Sequence, residues 1–201
     1  MTRWLLVAMM MVSLAACGNK VPPVAKLAAT DVVLAFGDSL TYGTGARAED
    51  SYPAVLGQLI GRNVVRSGVP GEQTAGGLAR LPEVLDEHKP KLVIVCLGGN
   101  DMLRKGTPAN IEANLRKILT EIKSRGLDAM LIGVPAPALI ASPPEFYSKL
   151  AREFAIPYEG DIVTSVLYKS ELKSDPIHPN AAGYRKVAEA VAKLLRNAGA
   201  I

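Results

Sequence analysis

The sequence predicts an α/β protein: a three-layer α/β/α sandwich around a central, mostly parallel sheet of about five strands. Two observations support this prediction. Short apolar runs alternate with segments of helical spacing along most of the chain, as in proteins built from βαβ units. Two of the runs, residues 32–36 and 92–97, are apolar at every position, which is typical of strands covered by helices on both faces.

The predicted elements alternate between strand and helix. The clearest helix spans residues 108–125, where Ile111, Leu115 and Ile118 recur every three or four residues and Gly126 follows the end. Residues 135–144 contain four prolines, which preclude regular structure, so we expect a substrate-facing loop there. Strands are predicted at residues 32–36, 63–66, 92–97, 130–132 and 156–158, and helices at residues 51–60, 74–87, 108–125 and 180–196 and from residue 145.

The N-terminal residues predict export and a lipid anchor. Residues 1–16 combine Arg3 with an apolar run and small residues before Cys17, which is the arrangement of a secretory signal. The apolar run is too short for a permanent membrane-spanning helix, which needs about 20 residues. Leu14-Ala15-Ala16-Cys17 resembles the lipobox of bacterial lipoproteins, which implies cleavage before Cys17 and acylation of that residue. The alternative is an ordinary signal peptide with a chance cysteine.

With this signal the chain divides into a signal peptide (1–16), a tether (17–29) and one domain (30–201). Because Gly18 follows the cysteine, the resemblance implies an exported protein held in the outer membrane through Cys17. The other cysteine, Cys96, lies in an apolar run and is expected to be a buried, inert thiol. The net charge of +4 is mild and unclustered, which argues against a nucleic-acid partner. We expect a monomer.

Ser39 is the candidate nucleophile because it follows the first strand, at the edge where open α/β sheets bind ligands. It needs a base, and the chain has two histidines, His88 and His178. His88 lies in a charged helix end, which is typical of a solvated side chain, whereas prolines near His178 stiffen its segment. Asp175 precedes His178 by three residues, and a turn of that length can place its carboxylate against one ring nitrogen.

Two further residues are candidates for binding negative charge. Asn100 follows the second buried strand at the same edge, so its amide can donate towards charge that develops during acyl transfer. The alternative for Asn100 is the ordinary loop chemistry of a glycine-asparagine turn. Gly71 offers an unobstructed backbone N–H near a strand end. A metal site is disfavoured, because the two histidines lack ligand-like spacing and there is no cysteine cluster.

Together these residues resemble the SGNH/GDSL hydrolase family. The motifs occur in the family's order and span nearly the whole predicted domain. They are Gly37-Asp38-Ser39-Leu40, Gly71, Gly98-Gly99-Asn100-Asp101 and Asp175-Pro176-Ile177-His178-Pro179. The segment Gly77-Leu78-Ala79-Arg80-Leu81-Pro82 looks most like the periplasmic thioesterase/lysophospholipase branch and its arylesterase relatives. The resemblance implies a flavodoxin-like arrangement of the sheet.

The resemblance also implies a serine hydrolase that cleaves carboxylic esters or thioesters without a metal or cofactor. Ser39 is then the nucleophile, His178 the general base and Asp175 the residue that orients the imidazole. The N–H groups of Ser39 and Gly71 and the side chain of Asn100 form the oxyanion hole. Asp38 and Asp101 are expected to brace their own turns.

Three functions remain open for the substrate and the role of the chain. Acyl or aryl esters, lysophospholipid or acyl thioesters are favoured, because the loop at 135–144, with Ala136, Ala138, Leu139 and Ile140, can form an apolar wall for an acyl chain. A carbohydrate O-acetylesterase acting on cell-envelope glycans is the alternative enzyme. A non-catalytic surface lipoprotein is the alternative of another class, which the simultaneous presence of a serine, histidine, aspartate and asparagine in the family's motifs disfavours.

Overall fold

Five parallel strands form the central sheet of the computed structural model, which describes residues 21–136 and 142–201. The strands are β1 (Val32–Gly37), β2 (Asn63–Gly68), β3 (Leu92–Cys96), β4 (Asp128–Ile132) and β5 (Tyr158–Glu159). Their order across the sheet is β2-β1-β3-β4-β5, and every neighbouring pair is parallel. The predicted α/β class and strand number are confirmed.

Eight α-helices connect or follow these strands in the described part of the chain. They are α1 (Ser39–Tyr42), α2 (Tyr52–Ile60), α3 (Thr74–His88), α4 (Gly99–Leu103), α5 (Pro108–Ser124), α6 (Glu145–Glu153), α7 (Ile162–Tyr168) and α8 (Ala181–Asn197). The five longest correspond to the predicted helices. The short helices α1, α4 and α7 were not predicted, because four to seven residues are too few to show a helical period.

The helices cover both faces of the sheet. α2 packs against α8, and α3 packs against α5. The crossover β1-α2-β2 runs to one side of β1, whereas β2-α3-β3 returns to the other side, so right-handed connections place α2 and α3 on opposite faces. Strands β1 and β3 are buried along almost their whole length, as the uninterrupted apolar runs predict.

The strand order reverses direction between β1 and β3. The chain first moves outward from β1 to β2 and then crosses back to place β3 on the other side of β1. At such a switch point the loops after the two strands diverge to opposite faces and leave a crevice beyond the carboxyl ends of the strands. The segments that follow β1 and β3, which carry Ser39 and Asn100, therefore border the same crevice.

Residues 21–29, the described part of the predicted tether, lie against the domain. Val24 and Leu27 are buried in the hydrophobic core. The backbone N–H groups of these two residues donate to the carbonyl oxygens of Ala198 and Ala200, at 2.9 and 2.8 Å. The buried side chains and backbone hydrogen bonds of this segment thus hold it against the domain as a strap, whereas the sequence predicted a tether between membrane and domain.

Several predictions fall on residues outside the described ranges. The signal peptide at 1–16 and the proposed lipidation site Cys17 lie among them, as do residues 137–141 of the proline-rich loop. Within the described residues, no helix combines the length and the apolar character that crossing a membrane requires. Cys96 is described, and it is a buried free thiol whose pKa is raised well above its ordinary value by burial.

Candidate active site

Ser39 lies at the start of the one-turn helix α1, directly after β1. Asp38 caps this turn, since its Oδ1 accepts the N–H of Leu40 at 3.0 Å. Gly37 allows close packing here, because a Cβ at this position would overlap the carbonyl oxygen of Cys96 and the hydroxyl of Thr41. The glycine thus lets β1 lie tightly against β3 and sends Ser39 out over the carboxyl end of the sheet.

His178 and Asp175 reach Ser39 from the loop before α8, although 139 residues separate His178 from Ser39. His178 Nε2 lies 3.0 Å from Ser39 Oγ. His178 Nδ1 lies 2.7 Å from Asp175 Oδ2. The structure therefore brings together, in one hydrogen-bonded chain, the three side chains that the sequence analysis singled out.

The tautomer of His178 follows from the state of Asp175. Partial burial alone would raise the pKa of Asp175, but hydrogen bonds from the His178 ring and from the N–H groups of Ile177 and His178 lower the pKa overall. An ionised carboxylate only accepts hydrogen bonds, so Nδ1 carries the hydrogen and Nε2 is left to accept the Ser39 hydroxyl. This is the arrangement required for a general base next to a serine.

Asn100 lies at the start of α4, and its amide contacts two segments. Nδ2 donates to the carbonyl oxygen of Glu72 at 3.0 Å and to Asp38 Oδ2 at 3.2 Å. Asp38 is 1% exposed, and this burial raises its pKa to about 7, although the Leu40 N–H acts in the opposite direction. Asp38 therefore does more than brace its own turn, since it also accepts from the Asn100 amide.

Gly71 precedes Glu72 in the loop between β2 and α3. Its φ of +78° lies in the left-handed region, which a glycine enters without the steric cost that a side chain brings. The adjacent Glu72 carbonyl receives the Asn100 amide, so the loop that carries Gly71 is joined directly to α4. Gly71 itself is absent from the described residues that line the cavity beside Ser39.

Asp101 joins the same two segments by a second route. Its carboxylate accepts the Thr74 N–H at 2.8 Å and the Thr74 hydroxyl at 2.6 Å, which satisfies the first turn of α3. The expectation that Asp101 braces its own turn was wrong, because its partner lies 27 residues earlier in the chain.

A cavity opens beside Ser39, and its walls are largely apolar. Ser39, Asn100 and His178 form its polar part together with Asp38. Pro135 and Ala136 line it, so the start of the proline-rich loop faces the site as predicted. The remaining lining residues are Leu40, Gly99, Leu103, Val134, Leu167, Pro176 and Ile177.

Sequence reasoning missed three of these wall residues, Leu103, Val134 and Leu167. Leu103 ends α4 and Leu167 lies in α7, the two short helices for which the sequence shows no period. A usable signal for Leu103 was its position three residues after Asn100, one helical turn away on the same face.

His88 ends α3 and does not line the cavity. Among the described residues, no group of three or more histidine, cysteine, aspartate or glutamate side chains is placed to hold a metal ion.

Comparison with known proteins identifies the family. The sequence profile of the GDSL-like Lipase/Acylhydrolase family matches residues 35–186. The chain belongs to this family. As a GDSL hydrolase it has the expected parallel α/β fold, and its reaction class is the hydrolysis of ester bonds.

Individual relatives resemble this GDSL hydrolase over most of their length. The thioesterase 1/protease 1/lysophospholipase L1 of Escherichia coli K12 is 35% identical over 179 residues, which cover 85% of this chain and 86% of the relative. An arylesterase of Vibrio mimicus is 32% identical over 178 residues, 83% of this chain and 89% of the relative. The crystal structure of TesA superposes with a TM-score of 0.75 at 28% identity, covering 84% of this chain and 99% of that one.

Proposed function

We propose that this hydrolase cleaves carboxylic esters or thioesters through an acyl-serine intermediate on Ser39. The observation that carries the proposal is the continuous hydrogen-bonded chain from Ser39 Oγ through the His178 ring to the Asp175 carboxylate, at 3.0 and 2.7 Å. In this proposal His178 is the general base and Asp175 holds its ring in one tautomer. The oxyanion hole comprises the N–H groups of Ser39 and Gly71 and the side-chain amide of Asn100.

In the first half of the reaction, Ser39 Oγ attacks the carbonyl carbon while its proton passes to His178 Nε2. The carbonyl oxygen becomes an oxyanion in the hole. When the tetrahedral intermediate collapses, the bond to the leaving alcohol or thiol breaks, and His178 returns the proton to that leaving group. The acyl group is then bound to Ser39 as an ester.

In the second half, water attacks the acyl-serine. His178 Nε2 accepts a proton from the water, a second oxyanion forms, and its collapse releases the carboxylic acid as the proton returns to Ser39 Oγ. Before the reaction the Asn100 amide donates to Glu72 and, through a longer hydrogen bond, to Asp38. To bind the oxyanion, the N–H that donates to Asp38 turns towards the developing charge. Catalytic hydrogen bonds commonly tighten only when the charge forms.

The proposed substrates are acyl or aryl esters, lysophospholipids or acyl thioesters. The apolar walls of the cavity support this class, since Leu103, Val134 and Leu167 offer an acyl chain a surface without polar partners. The names of the two relatives, a thioesterase and lysophospholipase in one case and an arylesterase in the other, point the same way.

Hydrolysis of p-nitrophenyl esters from acetate to palmitate tests the proposal, with the Ser39→Ala variant as the control. We expect turnover that the substitution abolishes, and a preference for chains longer than acetate because of the apolar walls. Turnover restricted to acetate would favour an acetylesterase instead. If the folded protein shows no Ser39-dependent turnover on any ester of the series, the proposal is wrong.

The proposal includes export and a lipid anchor on Cys17, after removal of residues 1–16. The support is the sequence alone, through its resemblance to a lipobox, and a location in the outer membrane follows from Gly18 in the same way. Incorporation of labelled palmitate into the full-length protein in a bacterial host tests this part, with Cys17→Ser as the matched variant. Equal labelling of both proteins, or labelling of neither, would contradict the anchor.

A further inference from the structure

Arg80, on the second turn of α3, makes an unusually complete set of contacts. Its Nε and Nη2 donate to the two carboxylate oxygens of Glu72, both at 2.7 Å. Its Nη1 donates to Ser67 Oγ at 2.8 Å, and Nη2 also lies 3.1 Å from the carbonyl oxygens of Gly37 and Ser67. The guanidinium carbon lies 4.0 Å from the centre of the Phe36 ring, so the group is stacked as well as hydrogen-bonded.

These contacts connect the ends of β1 and β2 with the loop that precedes α3. The Gly37 carbonyl belongs to the end of β1, immediately before Asp38 and Ser39. Ser67 belongs to the end of β2, and Glu72 follows Gly71 in the loop between β2 and α3. The Glu72 side chain is 8% exposed and that of Arg80 is 20% exposed, so the paired charges are largely shielded from water. The planar guanidinium matches several fixed acceptors at once, which the point charge of a lysine does not.

The loop held by Arg80 carries one donor of the proposed oxyanion hole and orients a second, which lies on α4. Gly71 supplies one N–H directly. The carbonyl oxygen of Glu72 accepts the Asn100 amide at 3.0 Å and thereby sets the direction of the second donor. The Val69 N–H, near the start of this loop, donates to the Gly37 carbonyl at 3.0 Å, and Arg80 contacts the same oxygen. Gly37 directly precedes the turn that carries Ser39, the nucleophile turn. A shift of the loop therefore moves both hole donors relative to Ser39.

We propose that Arg80, through Glu72, is a positioning residue for the oxyanion hole, which it fixes relative to the nucleophile turn. The proposal rests on the proposed function, because it needs Gly71 and Asn100 to bind the oxyanion. Arg80 contacts no reacting atom. Its effect is therefore on the stabilisation of the transition state rather than on the binding of the acyl chain.

The Arg80→Lys variant tests the proposal. Lysine keeps the charge but loses the two-pronged contact with Glu72, and a displacement of about 1 Å in a catalytic group is enough to lower the rate by about 100-fold. We expect kcat to fall about 10- to 100-fold with KM changed less than about threefold. The matched control is Arg116→Lys, because Arg116 pairs in the same way with Glu112 and Glu153 on α5 and α6 and does not line the cavity.

A double-mutant comparison separates positioning of the oxyanion hole from general stabilisation of the fold. The Arg80→Lys substitution is also made in an Asn100→Ala background, where one hole donor is already missing. If Arg80 acts through the hole, its effect on kcat should be smaller there than in wild type, because only the Gly71 N–H is left for it to position and coupled residues are not additive. An equal factor in both backgrounds, or a wild-type kcat in folded Arg80→Lys, would overturn the proposal.

A second variant and two reference proteins complete the test. If Arg80→Lys does not fold, Glu72→Gln is measured instead. This substitution keeps the shape of the partner of Arg80 while weakening the charge-assisted hydrogen bonds. An unchanged kcat in Glu72→Gln would then count against the proposal. Wild type and Ser39→Ala are assayed alongside. Wild type without Ser39-dependent turnover would overturn the proposed function and this inference together, whereas an active wild type with unimpaired Arg80 and Glu72 variants would overturn the inference alone.

Discussion

The surroundings of His178 decide how Ser39 reacts. The Asp175 carboxylate accepts the His178 ring N–H and two backbone N–H groups, those of Ile177 and His178 itself. These bonds keep the carboxylate ionised and fix the ring, so the second ring nitrogen faces the serine hydroxyl. A substitution of Asp175 by asparagine would offer the ring a donor as well as an acceptor and so release the tautomer that the reaction needs.

The Asn100→Ala substitution should lower kcat by roughly 10²- to 10³-fold with little change in KM, because the amide acts on charge that exists only in the transition state. Steady-state hydrolysis of a p-nitrophenyl ester measures this. Asn114→Ala is the matched control, since Asn114 donates to the Thr74 hydroxyl and does not line the cavity. A loss below tenfold for Asn100→Ala would remove this residue from the oxyanion hole.

Asp38 should make the stability of the protein depend on pH. Burial raises its pKa from 3.8 to about 7 in the folded state, so between those values the folded chain holds a proton that the unfolded chain has released. Stability therefore falls as the pH rises from about 4 to 7, by up to about 1.4 kcal/mol per pH unit from this group.

The Asp38→Asn variant lacks this titration. The free energy of unfolding of wild type, minus that of the variant, should therefore decrease steadily between about pH 4 and pH 7 in denaturant titrations. The variant also alters the hydrogen bond to Asn100, but that contribution is a constant offset, whereas the prediction concerns the slope. Parallel stability profiles for the two proteins would show that Asp38 titrates normally.

Single residues were predictable from the sequence where a motif carries them. Ser39, Asp175 and His178 lie in short, recognisable motifs, and their meeting follows from the rule that the loops at the carboxyl edge of a parallel sheet converge. The bond between Asp38 and Asn100 was not predictable, because it depends on how deeply the turn at Asp38 is buried. No role for Arg80 emerged either, since its partners come from three separate segments.

At the scale of elements, length determined what the sequence could predict. The long helices α5 and α8 bury one apolar face each, and their periods are visible in the sequence. Strands β1 and β3 are equally clear, because both of their faces are covered. The short helices α1, α4 and α7 depend on tertiary contacts rather than on a period of their own, yet they place Ser39, Asn100 and Leu167 around the cavity.

The end of α4 should influence acyl-chain preference. Leu103 lines the cavity and is 45% exposed, so a larger side chain is accommodated there without repacking the core. In Leu103→Trp, the ratio of kcat/KM for long-chain to acetyl esters should fall roughly tenfold, the discrimination expected when a pocket wall takes space from an apolar substrate.

The control for this substitution is Leu59→Trp, on α2. Leu59 is similarly exposed, at 37%, and does not line the cavity. It should leave the chain-length ratio unchanged. A ratio that stays constant in Leu103→Trp, or that shifts equally in both variants, would mean that acyl chains do not pass along α4.

At the scale of the whole molecule, the active site and the N-terminal strap lie at opposite ends of the sheet. Ser39 and Asn100 follow the carboxyl ends of β1 and β3. The strap, in contrast, bonds near the amino ends, where the Ala25 N–H donates to Asp128, the first residue of β4, at 2.9 Å. The anchor proposed on Cys17 would thus be attached to a chain that joins the domain away from the catalytic edge.

The strap should contribute to stability. Leu27 is 2% exposed, and removing a buried leucine side chain costs about 2–5 kcal/mol, so Leu27→Ala should lower the Tm by several degrees in thermal unfolding. Lys26→Ala is the neighbouring control, because the Lys26 side chain is exposed and its loss should change stability by less than about 0.5 kcal/mol. Equal Tm values for the two variants would mean that the strap is not packed in solution.

The most direct test of the central claim is to label the protein with a serine-directed p-nitrophenyl phosphonate and to map the adduct by mass spectrometry. The proposed mechanism predicts one adduct per chain, on the peptide that contains Ser39, with release of one equivalent of p-nitrophenol. Ser39→Ala should remain unlabelled, and His178→Gln should label far more slowly, because the base is missing. An adduct on another residue, or a folded protein that does not react, would contradict the assignment of Ser39 as the nucleophile.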